Sequence, residues 1–432
     1  MKIISARIEG FRNIENDKLI LGDEITSLVS LNSYGKSNLL NAIQYSVDFI
    51  KEVPKLKTRM MSSSYGIPLN KNLALKNFIA DLLFHMEMDN DTYEINYGFE
   101  FSWLKNQNNQ KTGCKIEKEW LTVRSLQKHK KASRFISREN GKGLYKSSET
   151  GRCSSVIKVD DNELIVNKLA SFDELFYKEI IKNLNNFNVY VERDFDAAIK
   201  YFRTPIVLKD QDNFDFSNLG DIPRVVYKLK ETHPDSFEVL TDAFKQLFPN
   251  ILALDVKEFD WGDIHDFKMP DDVPYVISNK EYSIYVQDVN LNQPLDFSCM
   301  SYGAKRVFLT LTYTILAKIK GYHLIALEAP ENSIHPSLLQ SYLSILSELS
   351  GDCRLVVSSH SPYIIQYVNT KNIYIGKPNS NGIADFSRID SKRVKALLTD
   401  AADSSDSVGN YIFELLSGGE DDNEILLSYL EK

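Results

Sequence analysis

The hydrophobic pattern of the first hundred residues changes its period several times, and each change predicts a different element. Residues 25–29 form a short apolar run that is typical of a buried strand. Residues 38–53 carry apolar side chains at helical spacing, which predicts a helix soon after that strand. Residues 78–86 and 93–101 then flank the turn residues 89–91, and this arrangement predicts a β-hairpin.

The middle of the chain has a weaker pattern. Between about residues 160 and 290, the segments 164–187 and 236–247 have helical spacing, so an inserted helical region is predicted there. The earlier stretch 55–76 is polar and rich in serine and methionine, and it is predicted to be an exposed loop.

The last third of the chain returns to strands followed by helices. Residues 323–331 form an apolar strand that ends in acidic residues, and residues 354–359 form a second buried strand. Helices are predicted over residues 307–319 and from Pro336 onward, since proline is tolerated in the first turn of a helix. Because similar patterns occupy both ends of the chain, we expect an α/β fold whose core is built from two separated halves.

Four segments follow from these patterns. Residues 1–125 form the N-terminal half of the core, and residues 126–290 form the insertion, a basic hairpin followed by a helical region. Residues 291–390 form the C-terminal half. Residues 391–432 form an acidic tail that is predicted to contain one or two short helices.

Composition narrows the class of protein. The 432 residues are 43% hydrophobic and 25% charged, which is ordinary for a globular protein. The four cysteines have no C-x-x-C spacing, and no apolar run is long enough to span a bilayer, so we expect a cytoplasmic protein without a membrane partner. The net charge of −8 argues against broad nucleic-acid binding. The basic stretch 111–146 leaves DNA possible, but we interpret it as a solvated hairpin.

The most informative motif lies between the first buried strand and the first helix. Residues 30–37 read Ser-Leu-Asn-Ser-Tyr-Gly-Lys-Ser, which matches the phosphate-binding pattern G-x-x-x-x-G-K-[ST] except at Ser30. In such a loop, backbone N–H groups from Asn32 to Ser37 surround the phosphates, an exposed Lys36 neutralises their charge, and Ser37 helps to hold Mg²⁺. The individual residues of this predicted site are Asn32, Ser33, Tyr34, Gly35, Lys36 and Ser37.

Three further candidates follow in the last third of the chain. Ser301 and Gly303 open a helix and could form a second anion site. Glu328 ends an apolar strand, where a carboxylate can order Mg²⁺. His360 directly follows another buried strand and can donate a hydrogen bond to a γ-phosphate.

These motifs, taken in order, resemble the ABC-type ATPases of the SMC and RecF group. The chain resembles most closely the stand-alone OLD-like and abortive-infection ATPases of antiphage defence systems. The matching segments are residues 9–13 (Glu-Gly-Phe-Arg-Asn), 36–40 (Lys-Ser-Asn-Leu-Leu), 330–332 with His335 and Pro336, and 359–362 (Ser-His-Ser-Pro).

The resemblance implies an ABC/SMC-like P-loop ATPase head that binds ATP and Mg²⁺. It adds Arg12 and Asn38 to the nucleotide contacts, and it implies that Ser301 and Gly303 act across a homodimer or a higher homo-oligomer. It also implies that the protein controls a separately encoded effector, a nuclease or toxin, in bacterial antiphage defence. Two alternatives stay open: a RecF-like DNA-repair ATPase that clamps DNA, and a non-hydrolysing nucleotide-gated scaffold.

The chain departs from the family pattern at three positions. Ser30 replaces the first loop glycine, which a small residue can do if its φ is negative. Glu328 stands where aspartate is more usual. Ala329 stands where the family has the catalytic glutamate that positions the attacking water, so very slow hydrolysis is expected. Either the chain is a natural slow hydrolase, or the glutamate was changed to alanine to trap bound ATP.

Overall fold

The computed structural model describes residues 1–62, 67–107, 110–127, 131–192, 199–201, 206–208, 221–262, 270, 272–332, 334–378 and 381–431. They form two compact units. The first unit contains Met1–Val191, Tyr322–Ala329 and Asp352–Lys432, and the second contains Glu192–Gly321 and Pro330–Gly351. The chain therefore enters the second unit twice, and the boundaries do not coincide with the segment limits at residues 125 and 290 that the sequence patterns suggest.

The strands, in chain order, are β1 (Lys2–Phe11), β2 (Ile14–Ile20), β3 (Thr26–Val29), β4 (Phe78–Met88), β5 (Asp91–Ser102), β6 (Lys105–Gln107), β7 (Gln110–Thr112), β8 (Lys115–Ser125), β9 (Ser133–Glu139), β10 (Lys142–Tyr145), β11 (Ser155–Ile157), β12 (Val189–Glu192), β13 (Ile206–Leu208), β14 (Ile251–Asp260), β15 (Tyr275–Ile277), β16 (Lys280–Asp288), β17 (Leu295–Asp296), β18 (Leu324–Glu328), β19 (Arg354–Ser359), β20 (Ile373–Pro378) and β21 (Ala384–Arg388).

The helices are α1 (Lys36–Lys51), α2 (Pro54–Ser62), α3 (Ile165–Leu169), α4 (Lys178–Asn185), α5 (Ile222–Thr232), α6 (Pro234–Leu247), α7 (Tyr302–Ile319), α8 (Pro336–Ser350), α9 (Pro362–Tyr367), α10 (Val394–Asp403), α11 (Val408–Ser417) and α12 (Glu420–Ser428). Short 3₁₀ turns occupy Lys71–Leu73, Ile199–Tyr201, Phe297–Cys299 and Thr370–Asn372. Strands and helices thus alternate at both ends of the chain, and the predicted α/β class is confirmed.

One large sheet organises the first unit, in the order β11-β10-β9-β8-β5-β4-β1-β2-β21-β20-β3-β19-β18-β12. Its two parts differ in pattern. Strand β4 alternates buried and partly exposed residues, as expected for an antiparallel strand with one face on the core. Strands β3 and β19 are buried at every position, as expected for parallel strands covered on both faces. The parallel part contains β18, β19, β3 and β20.

The register of the parallel strands determines what lies at their carboxyl ends. Ser359 of β19 is paired with Val29 of β3, and Ser358 is paired with Glu328 of β18. The residues that follow these strands therefore emerge at the same edge of the sheet, which is where α/β proteins bind ligands.

Helix α1 covers the antiparallel part of the sheet with its apolar face. Phe49 of α1 stacks on Phe99 and Phe101 of β5, with ring centroids 4.9 and 5.0 Å apart. The predicted hairpin of β4 and β5 is confirmed. Its two-residue turn, Asp89 and Asn90, has positive φ angles of 50° and 59°, a conformation that aspartate and asparagine adopt more readily than most residues.

Two expectations from the sequence, those for the stretch 55–76 and for the tail, are wrong in detail. The stretch 55–76 is not a single exposed loop, because α2 occupies its first part and buries Lys57 and Met61; residues 63–66 lie outside the described residues. The segment 164–187 contains two short helices, α3 and α4, separated by turns. The tail contains three helices, α10 to α12, and Ser405 (φ 60°) and residues 418–419 separate them.

The second unit combines helices with a small sheet of β14, β16 and β17, and β13 pairs with β15. Helix α6 confirms the helix predicted over residues 236–247, and α7 includes the one predicted over residues 307–319. Phe244, Phe297 and Phe308 form an aromatic cluster in this unit, with centroid separations of 4.8 to 5.6 Å.

Candidate functional site

The candidate phosphate loop connects strand β3 to helix α1 in the first unit. Gly35 has a φ of 102°, and Ser33 has a φ of 65°, so the chain turns sharply just before the helix. A Cβ atom at Gly35 would come within 2.7 Å of the Ala384 Cβ, and this position therefore requires glycine. Ser30 is fully buried and does not belong to the described residues with positive φ, so serine fits here without backbone strain.

Lys36 is folded back onto this loop. Its Nζ atom donates to the Ser30 carbonyl (2.9 Å), the Ser30 hydroxyl (2.8 Å) and the Leu31 carbonyl (3.1 Å). Only 5% of the residue is exposed, whereas the sequence predicts an exposed phosphate ligand. The reason for the difference is that the curled loop supplies oxygen acceptors that enclose the ammonium group.

His360 approaches the same ammonium group from the end of β19. Its Nδ1 atom lies 3.0 Å from Lys36 Nζ and 3.1 Å from the Ser30 carbonyl oxygen. Since an ammonium group can only donate, Nδ1 acts as the acceptor, and the ring proton is then on Nε2. Burial, followed by the charge of Lys36, lowers the pKa of His360, while the Ser30 carbonyl acts in the opposite direction. A neutral imidazole with its proton on Nε2 suits donation to a phosphate.

The acidic side of the site is formed by the end of β18. Glu328 is the last residue of the strand and is paired with Ser358. The next residue, Ala329, has a φ of 44° and donates its N–H to the Ser358 carbonyl (2.7 Å). This left-handed conformation ends the strand and turns the chain at the position where the family pattern has its catalytic glutamate.

These elements enclose a cavity of about 250 Å³. Its lining includes every predicted residue of the phosphate loop, together with Asn38, Glu328, Ala329 and His360. It also includes Ser358, which the sequence interpretation does not single out. The complete lining is Asn32, Ser33, Tyr34, Gly35, Lys36, Ser37, Asn38, Glu328, Ala329, Ser358 and His360. Residues more than 300 positions apart in the chain therefore meet in one site.

Arg12 contributes to the site indirectly. Its guanidinium group donates to Asn38 Oδ1 (2.8 Å), and Asn38 Nδ2 donates to Asn13 Oδ1 (2.7 Å). These bonds attach the first turn of α1 to the turn between β1 and β2. Among the described residues, Arg12 does not belong to the cavity lining, so the structure gives it a supporting contact where the resemblance implies a nucleotide contact.

Ser301 and Gly303 lie in the second unit, at the beginning of α7. The Ser301 hydroxyl accepts a hydrogen bond from Ala304 N (3.2 Å) and caps the 18-residue helix. Ser301 and Tyr302 are exposed, so the N-terminus of this helix faces solvent within its unit. Helix N-termini favour anions, which agrees with the anion site that the sequence suggests.

The donor set of the cavity fits Mg²⁺ bound together with a phosphate ligand. Ser37 supplies a hydroxyl and Glu328 a carboxylate, and Mg²⁺ usually binds through one or two protein oxygens plus phosphates and water. Within the described part of the chain, no three histidine, cysteine or acidic side chains form a ready-made metal cage. The site thus suits a metal that arrives with its nucleotide.

Comparison with protein families decides the class of this site. A family model described as "AAA domain, putative AbiEii toxin, Type IV TA system" matches residues 25–366. The chain belongs to this AAA family of ATPases. The match begins just before β3 and ends in α9, so it includes the phosphate loop, Glu328 and His360. Arg12 and the tail helices lie outside it.

Solved structures similar to this AAA-type ATPase include SMC head domains. The SMC head bound to the C-winged helix domain of ScpA is 12% identical, with 91% of this chain and 100% of that chain covered and a TM-score of 0.48. The SMC head domain from Thermotoga maritima is 11% identical, with 90% and 100% covered and a TM-score of 0.42. The SMC head domain with an extended coiled coil, bound to the C-terminal domain of ScpA derived from Pyrococcus furiosus, is 11% identical, with 93% and 99% covered and a TM-score of 0.47.

Comparison with curated proteins gave no match. Among the described residues, none of the helices combines the length and the apolar character that crossing a membrane requires.

Proposed function

We propose that this AAA-family chain is an ABC-type ATPase that dimerises around bound ATP and Mg²⁺ and controls a separate effector. The observation that carries the proposal is the cavity in which Lys36, Ser37, Glu328 and His360 converge. A lysine that binds phosphates and a hydroxyl and a carboxylate that hold Mg²⁺ are the groups that P-loop nucleotide sites use. A neutral imidazole can in addition donate a hydrogen bond to a phosphate oxygen.

Each of these residues has a definite task in this proposal. Lys36 and the loop N–H groups bind the β- and γ-phosphates, and the His360 Nε2–H donates to the γ-phosphate. Ser37 and Glu328 hold Mg²⁺, which neutralises charge that develops on the phosphates. Ala329 offers only a methyl group toward the cavity, so no carboxylate at this position orients the attacking water.

Turnover tests this assignment. We expect the chain to bind ATP with Mg²⁺ and to hydrolyse it very slowly, and Ala329→Glu should raise the rate by about 10²–10⁴-fold, which is typical of general-base catalysis. The double variant Lys36→Ala/Ala329→Glu is the control, since its rate should return to background. Fast turnover by the unchanged chain, or no gain from the new glutamate, would refute the role of position 329.

Assembly is the second part of the proposal. The capped N-terminus of α7 exposes Ser301, and in related ATPases this loop completes the site of a second subunit. A lone subunit would leave the γ-phosphate without preorganised donors on that side. We therefore propose that ATP stabilises a homodimer or a higher homo-oligomer, in which Ser301 and Gly303 contact the partner's nucleotide.

Sedimentation with and without ATP tests the assembly. Ser301→Arg should weaken the ATP-dependent assembly by introducing bulk, while ATP affinity of the P-loop is largely retained. Ser301→Ala removes the same helix cap and hydroxyl without adding bulk, so it should weaken the assembly less than Ser301→Arg does. A monomer at micromolar concentration under saturating ATP would refute the two-subunit site.

The biological role that we propose is control of a nuclease or toxin in bacterial antiphage defence. It is supported by the motif resemblance and by the family description, which includes a putative AbiEii toxin. Co-purification of the native protein with its genomic neighbours, compared between the parent chain and Lys36→Ala, tests the dependence of the partner on nucleotide. A neighbour captured equally by both would contradict nucleotide control.

The structure gives specific observations on both alternatives. Two cations of the basic stretch are buried: Arg138 donates to the Glu163 carbonyl (2.7 Å), and Lys146 lies 5.0 Å from the Phe135 ring centroid. They are therefore unavailable to DNA, which weakens the clamp alternative; residues 128–130 lie outside the described residues. Salt-dependent binding of DNA to the chain would support the DNA-clamp alternative. Ala329 favours the non-hydrolysing scaffold, and the turnover assay above decides between that alternative and a slow ATPase.

A further inference from the structure

The serine that replaces the first loop glycine contacts the phosphate-binding lysine directly. Ser30 is fully buried, and its hydroxyl donates to the Leu31 carbonyl (2.9 Å) while it accepts from Lys36 Nζ (2.8 Å). A glycine at this position would supply the same backbone carbonyl but no hydroxyl. The Ser30–Lys36 side-chain bond therefore cannot form in a loop that has glycine at this position.

The ammonium group already has more acceptors than it has hydrogens. The Ser30 carbonyl, the Ser30 hydroxyl, the Leu31 carbonyl and His360 Nδ1 all lie between 2.8 and 3.1 Å from Nζ. An ammonium group has three N–H donors. A phosphate oxygen that approaches Lys36 therefore competes with these four acceptors for three N–H groups.

The acceptors differ in how readily they can be replaced. The two carbonyls belong to the backbone of the loop, and the imidazole belongs to the proposed phosphate contact itself. The Ser30 hydroxyl, in contrast, is a neutral side-chain acceptor, and its contact with Nζ is the shortest of these four. Alanine is compatible with the backbone at this position, since Ser30 does not belong to the described residues with positive φ.

We propose that the Ser30 hydroxyl is a positioning group that holds Lys36 in the phosphate-free loop and competes with the nucleotide for it. The inference rests on the proposed function, because it assumes that phosphates bind at this loop. The inference predicts that this chain binds nucleotides with a β-phosphate more weakly than the same chain with glycine at position 30 would. It therefore also predicts faster release of the product.

The test is calorimetric titration of Ser30→Ala and Ser30→Gly with ATP and with ADP. Both variants should bind both nucleotides about 3- to 10-fold more tightly than the parent chain, the range that corresponds to the net strength of one hydrogen bond. Ser30→Gly restores the residue of the usual loop pattern and is the variant expected to fold without difficulty. Binding of adenosine, which has no phosphate to compete for Lys36, should be unchanged in both.

Ser27→Ala is the matched control. Ser27 is a fully buried serine on β3, the strand that leads into the loop, and it lies outside the cavity lining given above. It should leave nucleotide affinity unchanged, which separates the effect on Lys36 from a general loss of packing. In a Lys36→Ala background, Ser30→Ala should add nothing, because the competing bond no longer exists.

The possible outcomes are distinguishable. If the parent chain binds no nucleotide, the proposed function fails. If the parent binds ATP but Ser30→Ala and Ser30→Gly bind it equally or more weakly, the hydroxyl does not compete for Lys36, and the inference is overturned while the proposed function stands. Tighter binding that persists in the Lys36→Ala background would also overturn it, since the effect would not pass through the lysine.

Discussion

Two buried lysines lie near the opposite ends of helix α1, and their surroundings differ. Lys36 begins the helix and is 5% exposed, and Lys57 lies in α2, just after the end of α1, and is 0% exposed. Lys57 Nζ donates to the Ile50 carbonyl (3.3 Å), to the Glu52 carbonyl and to Asn167 Oδ1 (3.0 Å). It thereby satisfies carbonyls that the last turn of α1 leaves without helical partners.

The two lysines differ in whether a cavity lies next to the ammonium group. Lys36 adjoins a cavity of about 250 Å³, whereas Lys57 is fully buried and its ammonium group is hydrogen-bonded to protein oxygens. Burial, only partly offset by Glu119, lowers the pKa of Lys57 to about 8. Burial of a lysine alone therefore does not identify a ligand site. A ligand site is indicated by a buried lysine that adjoins a cavity and can exchange its protein acceptors for those of a ligand.

The largest expected effect concerns the lysine at the cavity. Lys36→Ala should reduce ATP affinity by about 100-fold or more, since hydrogen bonds to charged groups each contribute about 1.5–3 kcal/mol. Lys36→Ala should lower the melting temperature much less than replacement of Lys57 does. Calorimetry measures the affinity, and a thermal scan without ligand measures the stability. If ATP stabilised the variant as much as the parent chain, Lys36 would not be a phosphate ligand.

The enclosed lysine should show the opposite behaviour. Lys57→Met keeps most of the side-chain volume but leaves buried oxygens without a donor, so it should lower the free energy of unfolding by about 2–4 kcal/mol. Nucleotide affinity at a temperature where the variant is folded should not change. Lys55→Met is the control, because Lys55 lies on the same helix and is exposed. A large loss of ATP affinity in Lys57→Met would remove the distinction between the two lysines.

The smallest effect is a pH dependence in the enclosed cluster. The Glu119 carboxylate accepts from Ile165 N (2.6 Å), Val166 N (2.9 Å) and the Tyr97 hydroxyl (3.1 Å), and burial raises its pKa to about 7. A raised acid pKa means that the folded state binds the proton more tightly than the unfolded state. Glu119 therefore lowers stability as the pH rises from about 4.5 to 7.

This decline should be absent from Glu119→Gln. The stability of the parent relative to the variant should fall by about 2 kcal/mol between pH 5 and pH 7.5. Denaturant unfolding at several pH values measures the difference, with Glu117→Gln, a partly exposed position on the same strand, as the control. Parallel stability curves for parent and Glu119→Gln would show that the buried carboxylate does not titrate in this range.

The same pair of lysines shows which parts of the site and the fold can be predicted from sequence patterns. Lys36 could be predicted because Gly35, Lys36 and Ser37 lie between a buried strand and a helix, a local arrangement. Lys57 could not, because a polar residue on the buried face of α2 breaks the apolar periodicity and makes the segment resemble a loop. Its burial depends on carbonyls at the end of α1 and on Asn167, which is 110 positions away.

Long-range pairing limits the other predictions in the same way. The α/β class and the order of the motifs follow from local periodicity. The contact of Lys36 with His360 depends on the register of β19 against β3, and the supporting role of Arg12 depends on the turn between β1 and β2. The unit boundary near residue 191 follows from β9 to β11 joining the large sheet, which their short, charged sequences do not indicate.

The position of β3 in the sheet has a consequence for synthesis and folding. Both neighbours of this strand, β19 and β20, come from residues 354–378, and the Ser30–His360 contact spans 330 residues. During translation, the strand that leads into the phosphate loop therefore cannot pair until most of the chain has been synthesised. Such high contact order predicts slow folding and a long interval in which an apolar strand edge can aggregate.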